Sequence, residues 1–371
     1  GSQRAPRRQP QGKPQYRRVQ ADPKRYEPAA KKKRESENIE FGKKNSYANS
    51  KKGKKELSGG SAVKKFFKGV FVVLLVLVLL LQLLIFRYIW LVNSVDTGER
   101  LVTNASMSDK NVTNILLIGS DTRDENERGR TDSMILLSIN KQTKQMTMTS
   151  LMRDCYVEIP DHGWAKLNAA YSYGGAELLM DTIEQNFDVA VDKFVYVSFF
   201  SFIDIVDAVG GINIDLSDDE AQYMTDPMAE QNKYLGNKKG TDYLSHGGDD
   251  MLLNGNQALA YARLRYVGNA DFERTQRQRT VITKIISQAK TLSPLKLDNF
   301  MKVCCSELTT NMTKGEMYIM FYKLLFSMNY DMQQLRIPQE GAYYYGTHDE
   351  QSTLDLDFDA CQREIKKKIY N

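Results

Sequence analysis

The stretch Asn114–Leu151, NILLIGSDTRDENERGRTDSMILLSINKQTKQMTMTSL, decides the fold. It opens with a short apolar run, NILLI, that ends in Gly119-Ser120-Asp121, the pattern of a buried strand with a loop after it. Ser133–Asn140 and Gln145–Leu151 are two further strand candidates, the second alternating in MTMTSL, and Lys141–Lys144 joins them as a hairpin loop. A register with Asn140 opposite Gln145 carries Asp132 opposite Arg153, so a carboxylate and a guanidinium meet at the open end of the hairpin. A first strand parallel to the third brings Asp121 to the same rim. Ligands of open α/β sheets bind at the carboxyl ends of strands. Asp121, Arg123, Arg130, Asp132 and Arg153 are therefore expected to converge there. A structural cross-strand ion pair accounts for Asp132 and Arg153 equally well.

Outward from this hairpin, helical and strand patterns alternate. Residues 166–187 begin KLNAAYSYGG and continue as a helix with Leu178, Leu179, Ile183 and Phe187 on a helical period. Lys193–Ser198 reads as a strand and Ser201–Ala208 as a helix stopped by Gly210-Gly211. Ile212–Leu216 is another strand, and the polar segment Asp218–Gly248 reads as a long loop or insertion. Such alternation gives an α/β layered domain, and the hairpin makes its sheet mixed. Helices over Met317–Phe326 and from about Asp359, with a short strand at Gln334–Ile337, are expected to finish the same core.

A second basic stretch, NGNQALAYARLRYVGNADFERTQRQRTVITKII at 254–286, reads as a short helix, an extended bridge and a longer helix. Asn254 and Asp271 are the expected N-caps. Arg263 and Arg265 lie two apart, so an extended bridge points both to one side. On the second helix Val281, Ile282, Ile285 and Ala289 form an apolar stripe. Arg274 and Gln278 fall inside it, Arg277 lies at its border, and Arg279 is expected to point to solvent. Polar groups on a core-facing side must be satisfied there. Guanidinium forks suit phosphate oxygens, which points to a buried anion site made by Arg263, Arg265, Arg274 and Gln278. A solvated basic surface explains Arg277 and Arg279 as easily.

The chain has 371 residues and a net charge of +5, but residues 1–68 carry 21 Lys+Arg against 6 Asp+Glu, which leaves −10 for the rest. An acidic body argues against nucleic acid as a partner. Residues 3–62 have almost no aliphatic side chains and are expected to be disordered. Residues 69–86, GVFVVLLVLVLLLQLLIF, carry no charge, and Gln82 is their one strongly polar residue. About 20 helical residues span a bilayer, and the lysines before the run keep the tail cytoplasmic. The expected division is a basic cytoplasmic tail at 1–65, a single-pass signal anchor in the cell membrane at 66–91, a stalk at 92–112 and an extracytoplasmic domain at 113–371, with its motif core at 113–290. Cys155, Cys304, Cys305 and Cys361 form no zinc spacing. A bridge from Cys361 to Cys304 or Cys305 and four separate buried thiols both fit.

Taken together, GSDTR at 119–123, GRTDSMILLSIN at 129–140, SLMRD at 150–154, KLNAAYSYGG at 166–175, VGGI at 209–212 and LNGNQALAYARLRY with DFERTQRQ at 253–278 resemble the LytR-CpsA-Psr family. The resemblance is specific over 110–290 and looser beyond. It implies a mixed-sheet α/β domain outside the cytoplasmic membrane. The implied activity is a phosphotransferase that moves a glycopolymer, wall teichoic acid or capsule, from undecaprenyl pyrophosphate to peptidoglycan as a phosphodiester. By motif match Asp121 and Asp132 would hold Mg²⁺, with Mn²⁺ an alternative. Arg123, Arg130, Arg153, Arg263, Arg265, Arg274 and Gln278 would hold the pyrophosphate, and Arg130, Arg153, Arg263 and Arg265 would act on the reacting phosphate. Asp154 is a candidate base for the acceptor hydroxyl, or a structural carboxylate. The lipid tail needs an apolar groove, expected under the 175–187 helix. Two rival readings are a polyprenyl-pyrophosphate hydrolase without an acceptor and a non-catalytic sensor of the lipid carrier.

Overall fold

In the computed structural model, residues 59–97, 105–121, 129, 131–191, 193–265 and 270–371 are described. The expected disorder of the basic tail, Arg123, Arg130 and residues 266–269 of the arginine bridge fall outside these. Nearly all described residues belong to one compact unit, Val63–Asn371.

The hairpin organises that unit as expected. β2 (Val112–Ser120) pairs antiparallel with β3 (Thr131–Asn140), and β3 with β4 (Gln145–Leu151), with Asn140 opposite Gln145. β7 (Lys193–Ser198) runs parallel to β2, and β11 (Asp331–Ile337) parallel to β4. β1 (Asn93–Ser94) and β10 (Thr309–Thr310) complete a mixed seven-stranded sheet in the order β1-β10-β7-β2-β3-β4-β11. The stretch expected as a stalk is thus no free tether at its start, because Asn93 and Ser94 form the sheet's edge strand beside Thr309 and Thr310.

Strand alternation sends neighbouring side chains of β2 to opposite faces. Leu116 and Ile118 join Met134, Leu136, Leu179, Ile183 and Phe187 in one core. It is covered by α2 (Ala169–Phe187) and α10 (Phe358–Ile369). The other face carries α3 (Phe199–Val209), α6 (Gly255–Arg263), α7 (Ala270–Ala289) and α8 (Pro294–Glu307), whose core includes Val206, Val209, Ala258, Val281 and Phe300. Gly210 caps α3 at φ 92°, a left-handed conformation that favours glycine. A Cβ on Gly255 would lie 2.2 Å from the Ile203 carbonyl, so glycine there lets α6 close on α3. Asn254 caps α6, as expected, in a reciprocal capping box with Gln257.

Several stretches depart from the sequence reading. The first part of Asp218–Gly248 is not a loop: α4 (Asp218–Tyr223) starts at a Ser217–Glu220 capping box, α5 (Thr225–Leu235) follows, and Met224 and Met228 are fully buried; the expected loop is confined to residues 236–247. Two helices with so few apolar anchors leave a weak periodic signal. β8 (Ile212–Leu216) pairs only with β9 (Gly248–Leu253), apart from the main sheet. A four-stranded sheet, β12-β13-β5-β6, is built from β5 (Cys155–Ile159), β6 (Gly163–Lys166), β12 (Tyr343–His348) and β13 (Gln351–Leu356). Asp271 sits inside the first turn of α7, not ahead of it. All four cysteines are free thiols, with Cys155 and Cys361 buried.

Arg279 overturns its expected exposure. α7 lies between the sheet and the helices of the second core, so it has more than one buried face. Arg279 is only 5% exposed; it donates to Ser150 Oγ at 2.6 Å, Gln334 Oε1 at 3.1 Å and Gln276 Oε1 at 2.5 Å. Arg277 is also buried and pairs with Glu220 and Glu273 at 3.0 and 2.9 Å. Burial and then the nearby Arg336 charge push Arg279 down to about 10. Arg279→Ala is therefore expected to cost stability, about 1–3 kcal/mol from orphaned buried partners. A chemical-denaturation midpoint unchanged from the parent chain would contradict this packing.

Candidate active site

The hairpin register sets the site. Arg153, just past β4, reaches back across the hairpin, and its Nη1 lies 2.9 Å from Asp132 Oδ1. The same guanidinium meets Asp154 Oδ2 at 3.2 Å and Asp271 Oδ1 at 3.6 Å. α7 brings Arg274, with Nη1 at 3.9 Å from Asp132 Oδ1 and Nη2 donating to the Asp132 carbonyl at 3.3 Å. Gln278, one turn on, donates to the same carbonyl at 3.4 Å. Arg265 approaches the other carboxylate oxygen of Asp132 at 3.5 Å. Arg263 pairs with Glu230 at 2.7 Å and lies over the Phe199 ring.

Three guanidiniums thus surround one carboxylate. Burial pushes the Asp132 carboxyl up, but the Arg274, Arg153 and Arg265 charges outweigh it and hold it below the usual carboxylate value. Arg274 is 3% exposed, and burial followed by repulsion from Arg153 pushes it down to about 10. Its buried Nε has no hydrogen-bond partner, and neither has Asp271 Oδ1. A buried guanidinium so incompletely satisfied is costly, and an anion offering several oxygens would relieve it.

Three cavities meet this cluster; the smallest, of about 310 Å³, is lined by Arg153, Asp154, Lys166 and Asp271. One, of about 750 Å³, is lined at its charged end by Asp121, Asp132, Arg263, Arg265, Arg274 and Gln278. Asp226 and Glu230 also line it, and most of the remaining wall is apolar, with Leu117, Ile135, Val195, Phe202, Val281, Ile282, Ile285 and Ile286. The apolar groove expected under the 175–187 helix is therefore elsewhere: α2 spends its apolar face in the opposite core, and the cavity opens between the sheet and α3, α6 and α7. The second cavity, of about 330 Å³, is polar and holds Arg153, Asp154, Lys166, Asn168, Arg265, His348 and Gln351. Arg265 lines both of these.

The LytR_cpsA_psr family model matches residues 92–367. The chain belongs to the LytR-CpsA-Psr family. The polyisoprenyl-teichoic acid–peptidoglycan teichoic acid transferase TagU of Bacillus licheniformis is 35% identical over 249 residues, 65% of this chain and 74% of that protein. Biofilm regulatory protein A of Streptococcus mutans is 34% identical over 194 residues, 49% of this chain and 45% of that protein. TagT of the family, solved with bound octaprenyl pyrophosphate lipid, superposes with a TM-score of 0.54 at 25% identity, covering 74% of this chain and 98% of the TagT chain. TagT bound to LI-WTA gives a TM-score of 0.57 over the same shares.

Of the ten site residues expected from sequence, eight are described. Asp121, Asp132, Arg263, Arg265, Arg274 and Gln278 share one cavity wall, while Arg153 and Asp154 line the polar cavity. The residues that sequence reasoning missed are Lys166, Asp271, Glu230 and His348. Lys166 donates to Asp154 at 2.7 Å. His348 stacks on Tyr156 with ring centres 3.8 Å apart. The hairpin carrying His348 turns through Asp349 and Glu350, both at positive φ, and so lacks the Asn-Gly or Asp-Gly signal of such turns.

Because the folded-state value of Asp132 is depressed, its contribution to stability is present above the unfolded value near 3.8 and is lost as pH falls through the lower folded value. Asp132→Asn is expected to lose about 3–5 kcal/mol near neutral pH by leaving the arginines uncompensated. In urea titrations the gap between variant and parent should close only below the ordinary carboxylate value. A gap that closes well above pH 4.3, the ordinary glutamate value, would show that Asp132 is not held ionised by its arginines.

Proposed function

We propose that this chain transfers an anionic glycopolymer, of teichoic acid or capsule type, from undecaprenyl pyrophosphate to peptidoglycan. The observation that carries the proposal is the junction of the apolar and polar cavities at Arg153, Asp132 and Arg265. The apolar cavity suits a polyprenyl tail, with the pyrophosphate at its charged end. The polar cavity beyond Arg153 suits a sugar acceptor. A hydrolase needs room only for water there.

The acceptor hydroxyl oxygen attacks the phosphorus nearest the glycopolymer. The new P–O bond forms as the bridging P–O bond of the pyrophosphate breaks. The carrier leaves as polyprenyl monophosphate, and the hydroxyl proton passes to solvent. Arg274, with its unused Nε, and Arg265 neutralise charge on the leaving phosphate, the kind of preorganised contact that contributes most to such transfers. Arg153 sits between the cavities and aligns the attacked phosphate with the acceptor. Asp154 is a poor base: burial pushes it up, but the Lys166 hydrogen bond and the Arg153 charge hold it below the carboxylate range. Its role is to hold Arg153 and Lys166.

Mg²⁺ fits this site only together with substrate. Asp121 and Asp132 share the cavity wall, yet among the described residues no group of three or more acidic, His or Cys side chains forms a metal site by itself. Two carboxylates plus phosphate oxygens and water make the coordination that Mg²⁺ prefers, and Mn²⁺ would accept the same set. The bound ion would supply charge neutralisation of the pyrophosphate. Among the described residues, one helix, Val63–Leu91, is long and apolar enough to cross a membrane. The basic residues before it support a cytoplasmic N-terminus and an extracytoplasmic body.

The test uses sealed right-side-out membrane vesicles with a membrane-impermeant glycan acceptor outside. Labelled product is expected only with acceptor, to vanish in EDTA and to return with Mg²⁺. Arg274→Ala should lower the rate by about two to three decades. Phosphate release without acceptor would make the chain a hydrolase. Full activity in EDTA would remove the metal, and product only from inverted vesicles would reverse the orientation.

A further inference from the structure

The anchor α1 (Gly59–Leu91) is held by the body rather than merely joined to it. Its uncharged run, 69–86, is about 27 Å of helix at ~1.5 Å per residue, close to the ~30 Å of bilayer hydrocarbon. Arg87 marks the edge on the body's side, so Gln82 lies about 7 Å inside it. A lone carboxamide at that depth is costly. It is satisfied by α9 (Lys314–Ser327): the Tyr318 and Tyr322 hydroxyls both donate to Gln82 Oε1, Tyr322 at 2.8 Å.

α9 therefore descends along the anchor. At its start Lys314 Nζ donates to the Ile89 and Val92 carbonyls at 3.3 and 2.6 Å. Two turns later Tyr322 is level with Gln82. Just beyond, Lys323 turns back to the body and donates to Thr113 Oγ1 at 3.1 Å, while Leu325, Phe326 and Met328 are left exposed at 46%, 73% and 42%. The start of α8 reaches the same end. Asp298 pairs with Arg87 and accepts from Tyr88, and Leu295, one turn earlier, is 86% exposed. The end of α7 meets them, since Lys290 donates to the Met328 carbonyl at 2.9 Å. Ile285 and Ile286, one turn before Lys290, are the end of the apolar cavity wall farthest along α7 from Arg274.

We propose that this end of the body is a membrane seat. The start of α8 and the end of α9 lie in the phospholipid leaflet beside the anchor, with Leu295, Leu325, Phe326 and Met328 among the acyl chains. The ~7 Å depth of Gln82 matches the depth of an interfacial helix, and Lys290 and Lys296 lie where anionic headgroups would be. The seat holds the Ile286 end of the cavity against the bilayer, so a polyprenyl tail passes between lipid and cavity without crossing water. This last consequence rests on the transfer reading above; the seat itself does not.

The test uses the full chain reconstituted in phospholipid vesicles containing acyl-brominated lipid. The chain has two tryptophans. Trp90→Phe with Trp164→Phe and Phe326→Trp leaves one reporter at the seat, and Trp90→Phe alone leaves Trp164 as the reference. Bromolipid is expected to roughly halve emission from the Phe326→Trp reporter, as for a side chain at acyl depth, and to leave Trp164 unchanged. Leu325→Trp serves as a second reporter should the first fail to fold. Unquenched emission from the seat reporter would overturn the proposal. So would emission shifted by protein concentration but not by bromine, which would mean that a second copy covers the surface. Quenching in a chain that transfers nothing would keep the seat and sink the transferase reading.

Discussion

The structure depends on the meeting of Asp132 with the arginines of three separate segments. One carboxylate, held ionised, receives Arg153 from the hairpin end, Arg265 from the bridge and Arg274 from α7. Alone it cannot satisfy three guanidiniums, of which Arg153 and Arg274 are largely buried, and Arg274 keeps a buried, unbonded Nε. Along the same helix, buried Arg277 has two carboxylates of its own, Glu220 and Glu273 at 3.0 and 2.9 Å, and buried Arg279 donates to Ser150, Gln334 and Gln276. Arg274 instead shares Asp132 and Asp271 with Arg153 and lines the cavity, so it is the guanidinium of that helix placed to meet an anion.

Charge and apolar surface are arranged around that junction in a consistent order. The sheet's rim supplies the acids, and α7 runs from the charged cluster toward the anchor with its apolar stripe along the cavity. The start of α8 and the end of α9 flank the anchor where that stripe ends. A long lipid with a charged head is the ligand shape that such a path accommodates. The family relatives named for polyisoprenyl-linked teichoic acid transfer, and TagT holding octaprenyl pyrophosphate, agree with that shape.

Much of this was legible in the sequence, for identifiable reasons. The hairpin register followed from two strand-like runs, the second alternating, and a short loop, and it carried Asp132 to Arg153 correctly. The apolar stripe of α7 rightly marked Arg274 and Gln278 as inward. The same stripe misjudged Arg279, because one-face periodicity cannot show that a helix is packed on two sides. The large apolar cavity lies across the sheet from α2, where the groove was expected, and the sequence did not show it because core and cavity walls have the same composition. α4 and α5 hid behind polar composition, and the His348 hairpin behind an Asp-Glu turn.

The most direct test of the central claim is mass spectrometry of lipid that co-purifies with the detergent-extracted chain, compared with Arg274→Ala. The account calls for a polyprenyl pyrophosphate, free or carrying a glycopolymer, on the parent chain and its depletion from the variant. Bulk phospholipid alone on the parent, or an equal polyprenyl load on both, would contradict the reading of Arg274 as the anion's buried partner.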